Sequence, residues 1–221
     1  MNILIDSLLC VILLGLGYYG VCSYLSAQKL VKPDANLFKI SRNRIIYLVA
    51  GFVTSVVLIL ILNFYYNRDL TQQLKLLSIM LIILPNAAVD FRIHKMPNVF
   101  MVAGLVLRLL LFAVEFFLKS STFLNTVIDS LLGGVIIGVF FFLLLIIFKN
   151  SIGMGDVKLF ALMGLFQGLW GAVNSIFFSL IVTFFLSIYL LITKKKKKKD
   201  TISFGPEIYL GTLIGICLAG M

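Results

Sequence analysis

Long apolar runs, broken only by short polar connections, fill almost the whole of this sequence and fix its class before any single residue is considered. About eight of them approach the roughly 20 residues needed to cross a bilayer. They lie near 3–25, 45–66, 70–89, 97–118, 124–148, 156–170, 171–193 and 202–220. The runs are continuous rather than alternating, which argues against a lipid-facing β-barrel. Backbone groups in lipid must find partners within their own segment, and helices do this. Composition agrees: of 221 residues, 61% are hydrophobic and 13% charged, and mean hydropathy is +1.11. The expected fold is all-α, a polytopic transmembrane helix bundle forming one membrane-embedded domain over 1–221. The longest hydrophilic loop, 26–44, is too short to hold a core of its own.

Local signals refine this picture. The sixth run is short and glycine-rich (Gly153, Gly155, Gly164, Gly168, Gly171), so it and the seventh are readable as one bent unit. Small residues there permit close helix packing. Pro85, inside the third run, is expected to kink it just before Asp90. The first run lacks a positive segment before it and carries Asp6, so it reads as a retained span rather than a cleaved signal. Cys10, Cys22 and Cys217 are far apart and sit in or near apolar segments. They form no Cys-x-x-Cys pair, so neither a zinc framework nor a disulfide scaffold is expected.

Charge sets the expected orientation. With the N-terminus outside, the inner loops hold Lys29, Lys32, Lys39, Arg42 and Arg44, then Arg92 and Lys95, then Lys149 and Lys158, then Lys194 through Lys199. The outer connections hold only Arg68, Lys75 and Lys119. The positive-inside rule favours this arrangement, with both termini outside. Much of the net charge of +10 resides in the inner loops.

That orientation brings two carboxylates to the same membrane face. Asp90 stands in Asp90-Phe91-Arg92-Ile93-His94-Lys95-Met96-Pro97-Asn98, and Asp156 in Gly153-Met154-Gly155-Asp156-Val157-Lys158-Leu159. Ionisable groups at a membrane boundary are costly and point to function. A carboxylate pair, one protonated and one ionised, is the minimum equipment of aspartyl-protease chemistry. Gly153 and Gly155 would let backbone approach closely. Lys158, and His94 with Lys95, stand near enough in sequence to tune the carboxylates or anchor their loops. Ordinary readings stand beside these. Asp156 can cap a helix, Asp90 can be a solvated loop residue beside Arg92, and Lys158 can snorkel to the interface. His94 is the only histidine and reads as a loop residue rather than a metal ligand.

Three patches together resemble the type IV prepilin peptidases, membrane aspartyl peptidases with a Gly-x-Gly-Asp motif. Asp90 followed by Met96-Pro97-Asn98 is similar to the family's first aspartate motif. Gly153 through Leu159, including Lys158, is similar to the second. Ile202-Ser203-Phe204-Gly205-Pro206 with Leu210-Gly211 resembles the segment that opens the final span. The resemblance runs from about residue 75 to the C-terminus. It implies Asp90 and Asp156 as catalytic residues, supported by Gly153, Gly155, Lys158, Pro97, Asn98, Gly205 and Pro206. It further implies cleavage of leader peptides from pilin-like precursors, at the cytoplasmic face of the cell membrane, without metal or cofactor. Larger relatives carry two Cys-x-x-Cys pairs in a loop after the first span and also N-methylate the product. The 26–44 loop has no cysteine, so the short, peptidase-only form is the closer likeness. Met96, where isoleucine is more usual, and Glu207 after the Phe-Gly-Pro are departures from the pattern.

A competing reading from another class is a small transporter or channel using Asp90 and Asp156 as a proton or cation site. Such acids belong near mid-membrane on broken helices, whereas this pair is expected at the boundary. The run Lys194–Lys199 reads as a topological anchor attracting anionic lipid, not as a nucleic-acid site. Arg108 and Glu115 can share a helix face, and Arg108 is expected to find a buried partner, with Asp6 and Asp129 as candidates. Trp170 and Tyr209 read as interface anchors, and Phe140, Phe141 and Phe142 as lipid-facing or packing surface.

Overall fold

The computed structural model describes residues 2–27, 42–118, 121–148, 152–193 and 203–220. These residues are almost wholly helical. The helices are α1 (Asn2–Ala27), α2 (Arg42–Leu60, continued by a π-helical turn, Ile61–Tyr65), α3 (Leu70–Ile93), α4 (Asn98–Leu118), α5 (Phe123–Ile147), α6 (Met154–Ile192) and α7 (Gly205–Ala219). Six of these segments are long and apolar enough to cross a membrane, and α7 is a shorter apolar helix. Most of the 26–44 loop and all of Lys194–Lys199 lie outside the described residues.

The centre of the bundle is α3. It is buried on nearly every side, with α1, α2, α4, α6 and α7 packed around it. The chain stays helical through Pro85 to Ile93, and the Asn86 side chain donates to the Ile82 carbonyl at 2.9 Å. That bond occupies a backbone acceptor next to the one a proline leaves unpaired. The helix ends at His94, whose left-handed backbone (φ 51) turns its N–H onto the Asp90 carbonyl at 2.8 Å. Pro97 then follows, where a helix cannot continue.

The sixth and seventh runs form one element, α6, of 39 residues. Gly168 breaks it with φ 71 and ψ −177, a backbone region open essentially to glycine alone. The two halves run in opposite directions. Residues 154–167 lead away from the Asp90 end, and Gln167, Trp170 and Gly171 line a cavity with Gly220, the far end of α7. Residues 169–192 then return antiparallel to α7, with Ser175 against Gly215 and Ser179 against Gly211. The sixth and seventh apolar runs of the sequence are thus one helical element that folds back at a single residue.

The first half of α6 lies against α5 through glycines. A Cβ at Gly133 would lie 2.6 Å from the Gly164 carbonyl oxygen, so here backbone touches backbone. Without a hydrophobic drive between helices in lipid, such close contact is what holds them together.

Two sequence expectations need correction. Arg108 pairs with neither Asp6 nor Asp129. Its guanidinium meets Glu115 at 3.2 Å, the Ser130 hydroxyl at 2.7 Å and the Leu165 carbonyl at 2.9 Å, and lies over the Phe112 ring. Lys75 reaches the same Glu115 oxygen at 3.5 Å. The partner stands on Arg108's own helix face, two turns away, and needs no tertiary approach. Tyr209 is not an interface anchor. It is buried, with its hydroxyl 2.7 Å from Thr54 Oγ1 on α2. Trp170, at 74% exposure, does face outward. Of the phenylalanines, Phe140 and Phe142 are exposed, while Phe141 packs on Phe160 with ring centroids 4.4 Å apart.

Candidate active site

Asp90 and Asp156 come from helix ends that meet at one end of the bundle. Asp90 lies in the last turn of α3 and is buried. Asp156 lies in the first turn of α6 and is half-buried. Asp156 lies near enough to Asp90 for its carboxylate to feel the Asp90 charge.

A third helix end completes the arrangement. Ser203 Oγ and the Gly205 N–H both donate to Asp90 Oδ2, each at 2.8 Å. Gly205 opens α7, where the first N–H groups have no partner within the helix, and Asp90 supplies one. A Cβ at Gly205 would lie 2.9 Å from the Ala87 Cα and 3.0 Å from the Asp90 Cβ, so only glycine lets α7 come this near. Pro206 follows in the first turn, where its missing N–H leaves no intrahelical bond unmade. Ser203 is a site residue that the sequence reading does not single out. A hydroxyl immediately before Phe-Gly-Pro was the signal available.

On the α6 side, Gly153 is the N-cap and Asp156 reaches back to it. The Gly153 N–H donates to Asp156 Oδ2 at 3.1 Å. The ordinary helix-end role of Asp156 is therefore real, and it leaves the second oxygen uncommitted. Gly155 admits Met96, since a Cβ there would lie 2.8 Å from the Met96 Cβ. Lys158 Nζ donates to Asn98 Oδ1 at 2.9 Å, tying α6 to the start of α4. Of the roles open to it, anchoring is the one this contact displays. Pro97 is buried between these contacts, and His94 and Lys95 are exposed at the mouth. Behind Asp156, Phe160 meets Phe204 with ring centroids 5.8 Å apart and also stacks on Phe141. This aromatic contact holds the start of α7 beside α6. Every sequence-derived site residue thus lies at one end of the bundle.

The sequence model of the type IV leader peptidase family matches residues 75–192, a stretch that carries both aspartates. The chain belongs to the type IV leader peptidase family. No curated protein and no solved structure matches it. The family match stops before Ser203, Gly205 and Pro206, yet Ser203 and Gly205 reach Asp90 directly. What the leader peptidase family supplies is a membrane peptidase. What the geometry supplies is a buried carboxylate and a half-buried one at the junction of α3, α6 and α7, with water-facing residues at its mouth. Two carboxylates at short range share one proton, the condition for activating water on one side and polarising a carbonyl on the other.

Proposed function

We propose that this chain is an aspartic endopeptidase that removes the leader peptide from type IV prepilin-like precursors at the cytoplasmic face of the membrane. Asp90 and Asp156 activate a water between them. The observation that carries this reading is their convergence from two helix ends, in a chain of the type IV leader peptidase family. The precursor's apolar helix lies in the bilayer, and its polar leader emerges at the boundary where the pair sits. An ion pathway would want its acids at mid-membrane on broken helices. Here the break in α6 is at Gly168, near the opposite end from the pair. The lack of cysteine in the 26–44 loop supports cleavage without methylation.

Co-expression with a pilin-like precursor tests the proposal. Wild type should process it, and Asp90→Asn and Asp156→Asn should not, although both insert normally. Undiminished cleavage by either variant would sink the assignment. Mass spectrometry of the mature N-terminus should show no added methyl group.

A further inference from the structure

The two carboxylates are not held alike. Asp90 is buried, and its Oδ2 accepts from both Ser203 and Gly205 at 2.8 Å. Asp156 is half-buried and accepts one longer bond, from the Gly153 N–H at 3.1 Å. The helix dipoles do not single out Asp90: it lies in the last turn of α3, whose negative end opposes its charge, beside the positive start of α7, while Asp156 lies at the positive start of α6. The donors do single out Asp90. Hydrogen bonds to the charged form of a carboxylate favour that form, and bonds to an ionised group are about twice as strong as neutral ones. Both donors land on the same oxygen, which fixes the plane of the carboxylate and leaves Oδ1 for the reaction.

We propose that Asp90 is the ionised general base of the pair, that Ser203 is the residue that positions it, and that Asp156 carries the shared proton and acts as the acid. This rests on the peptidase reading above. In the first step Asp90 Oδ1 takes a proton from water, the water oxygen bonds to the scissile carbonyl carbon, and Asp156 gives its proton to the carbonyl oxygen. A neutral diol results, with the proton now on Asp90. In the second step Asp90 gives that proton to the amide nitrogen and Asp156 takes one from a diol hydroxyl. The C–N bond breaks, releasing an acid and an amine, and both carboxyls return to their starting states.

Charged groups on the elements around Asp90 are Asp156 and Lys158 on α6, Glu207 on α7, Arg92 on α3, and His94 and Lys95 in the α3–α4 connection. Lys158 is held by Asn98, and Arg92, His94 and Lys95 are exposed. Glu207 is buried in the first turn of α7, two residues after Gly205. Among the described side chains, α1, α2 and α4 bring no charge to this end.

The test uses the full chain in liposomes with a pilin-like precursor whose basic leader ends in glycine. Ser203→Ala should lower kcat by about tenfold to a hundredfold, the loss expected for one bond to a charged group, with KM little changed. Ser203→Thr, which keeps the hydroxyl, should restore most of the rate. The remaining activity of Ser203→Ala should fall away on the acidic side of the pH–rate profile, because the base must be ionised to act. Loss confined to the alkaline side would make Asp90 the acid and overturn the assignment. A full rate in Ser203→Ala, or a change in KM alone, would overturn the positioning role. Asp90→Asn and Asp156→Asn run in the same assay keep the two readings apart. If either still cleaves, the peptidase reading fails. If both are dead and Ser203→Ala is unaffected, only this inference fails.

Discussion

A single missing methyl decides how near α7 comes to Asp90. Gly205→Ala puts a Cβ against the Ala87 backbone and the Asp90 side chain, and neither can step aside without moving a helix. Displacement of about 1 Å at a reacting group costs about a hundredfold in rate. Gly205→Ala should therefore lose about that much precursor processing, measured against equal amounts of inserted protein. Lys158→Met removes an exposed bond to Asn98 and should cost at most about threefold, as exposed interactions contribute little. At this scale the sequence was informative where chemistry is local. Gly-x-Gly-Asp is contiguous, and so is the Met-Pro-Asn after Asp90. It was less informative where a residue's meaning lies in a distant partner. Nothing beside Ser203 in the chain announces a carboxylate on α3, and nothing beside Tyr209 announces Thr54, so an amphipathic ring read as a belt residue.

Among the elements, α6 is the one whose form depends on a single position. Gly168→Ala forces a side chain into a backbone region costing about 1–3 kcal/mol, and the Asp129 carboxylate occupies the space where that methyl would go. Thermal unfolding in detergent should show the loss. Glycine density links the sixth and seventh runs, and the lysines at both of their far ends imply a reversal between them; that the reversal takes a single residue depends on what each half packs against. The α3–α4–α5 contact supplies a second element-scale expectation. Arg108→Met leaves Glu115 buried with Lys75 alone and should cost about 3–5 kcal/mol. Replacing both Arg108 and Glu115 by methionine orphans Lys75 instead, so the stability should return only when Lys75→Met is added. Depth in the membrane made Asp6 and Asp129 eligible partners for Arg108. Helix geometry gave the answer, through a pairing the seven-residue spacing already permitted.

At the scale of the whole molecule, the spans were legible because lipid imposes length and apolarity on every crossing segment. The orientation expected from the loop charges has a direct check. In a chain with Cys10, Cys22 and Cys217 replaced by serine, a cysteine at His94 should react with an impermeant reagent added to the cytoplasmic side. A cysteine at Asn67 should react only from the other side. The helices that meet at the aspartates differ in reach. At 1.5 Å per residue, the 24 residues of α3 extend about 36 Å, while the 15 residues of α7 extend about 22 Å. A hydrocarbon core is about 30 Å thick. Asp90, one turn inside the end of α3 and fastened to the start of α7, therefore sits in a notch rather than on a rim. Water enters that notch only as far as the surrounding lipid allows. Under the proposed function the acyl chains of the host membrane become part of the catalytic apparatus: short-chain bilayers should leave the two carboxylates wet and the protein active, and long-chain bilayers should submerge them and slow the cut.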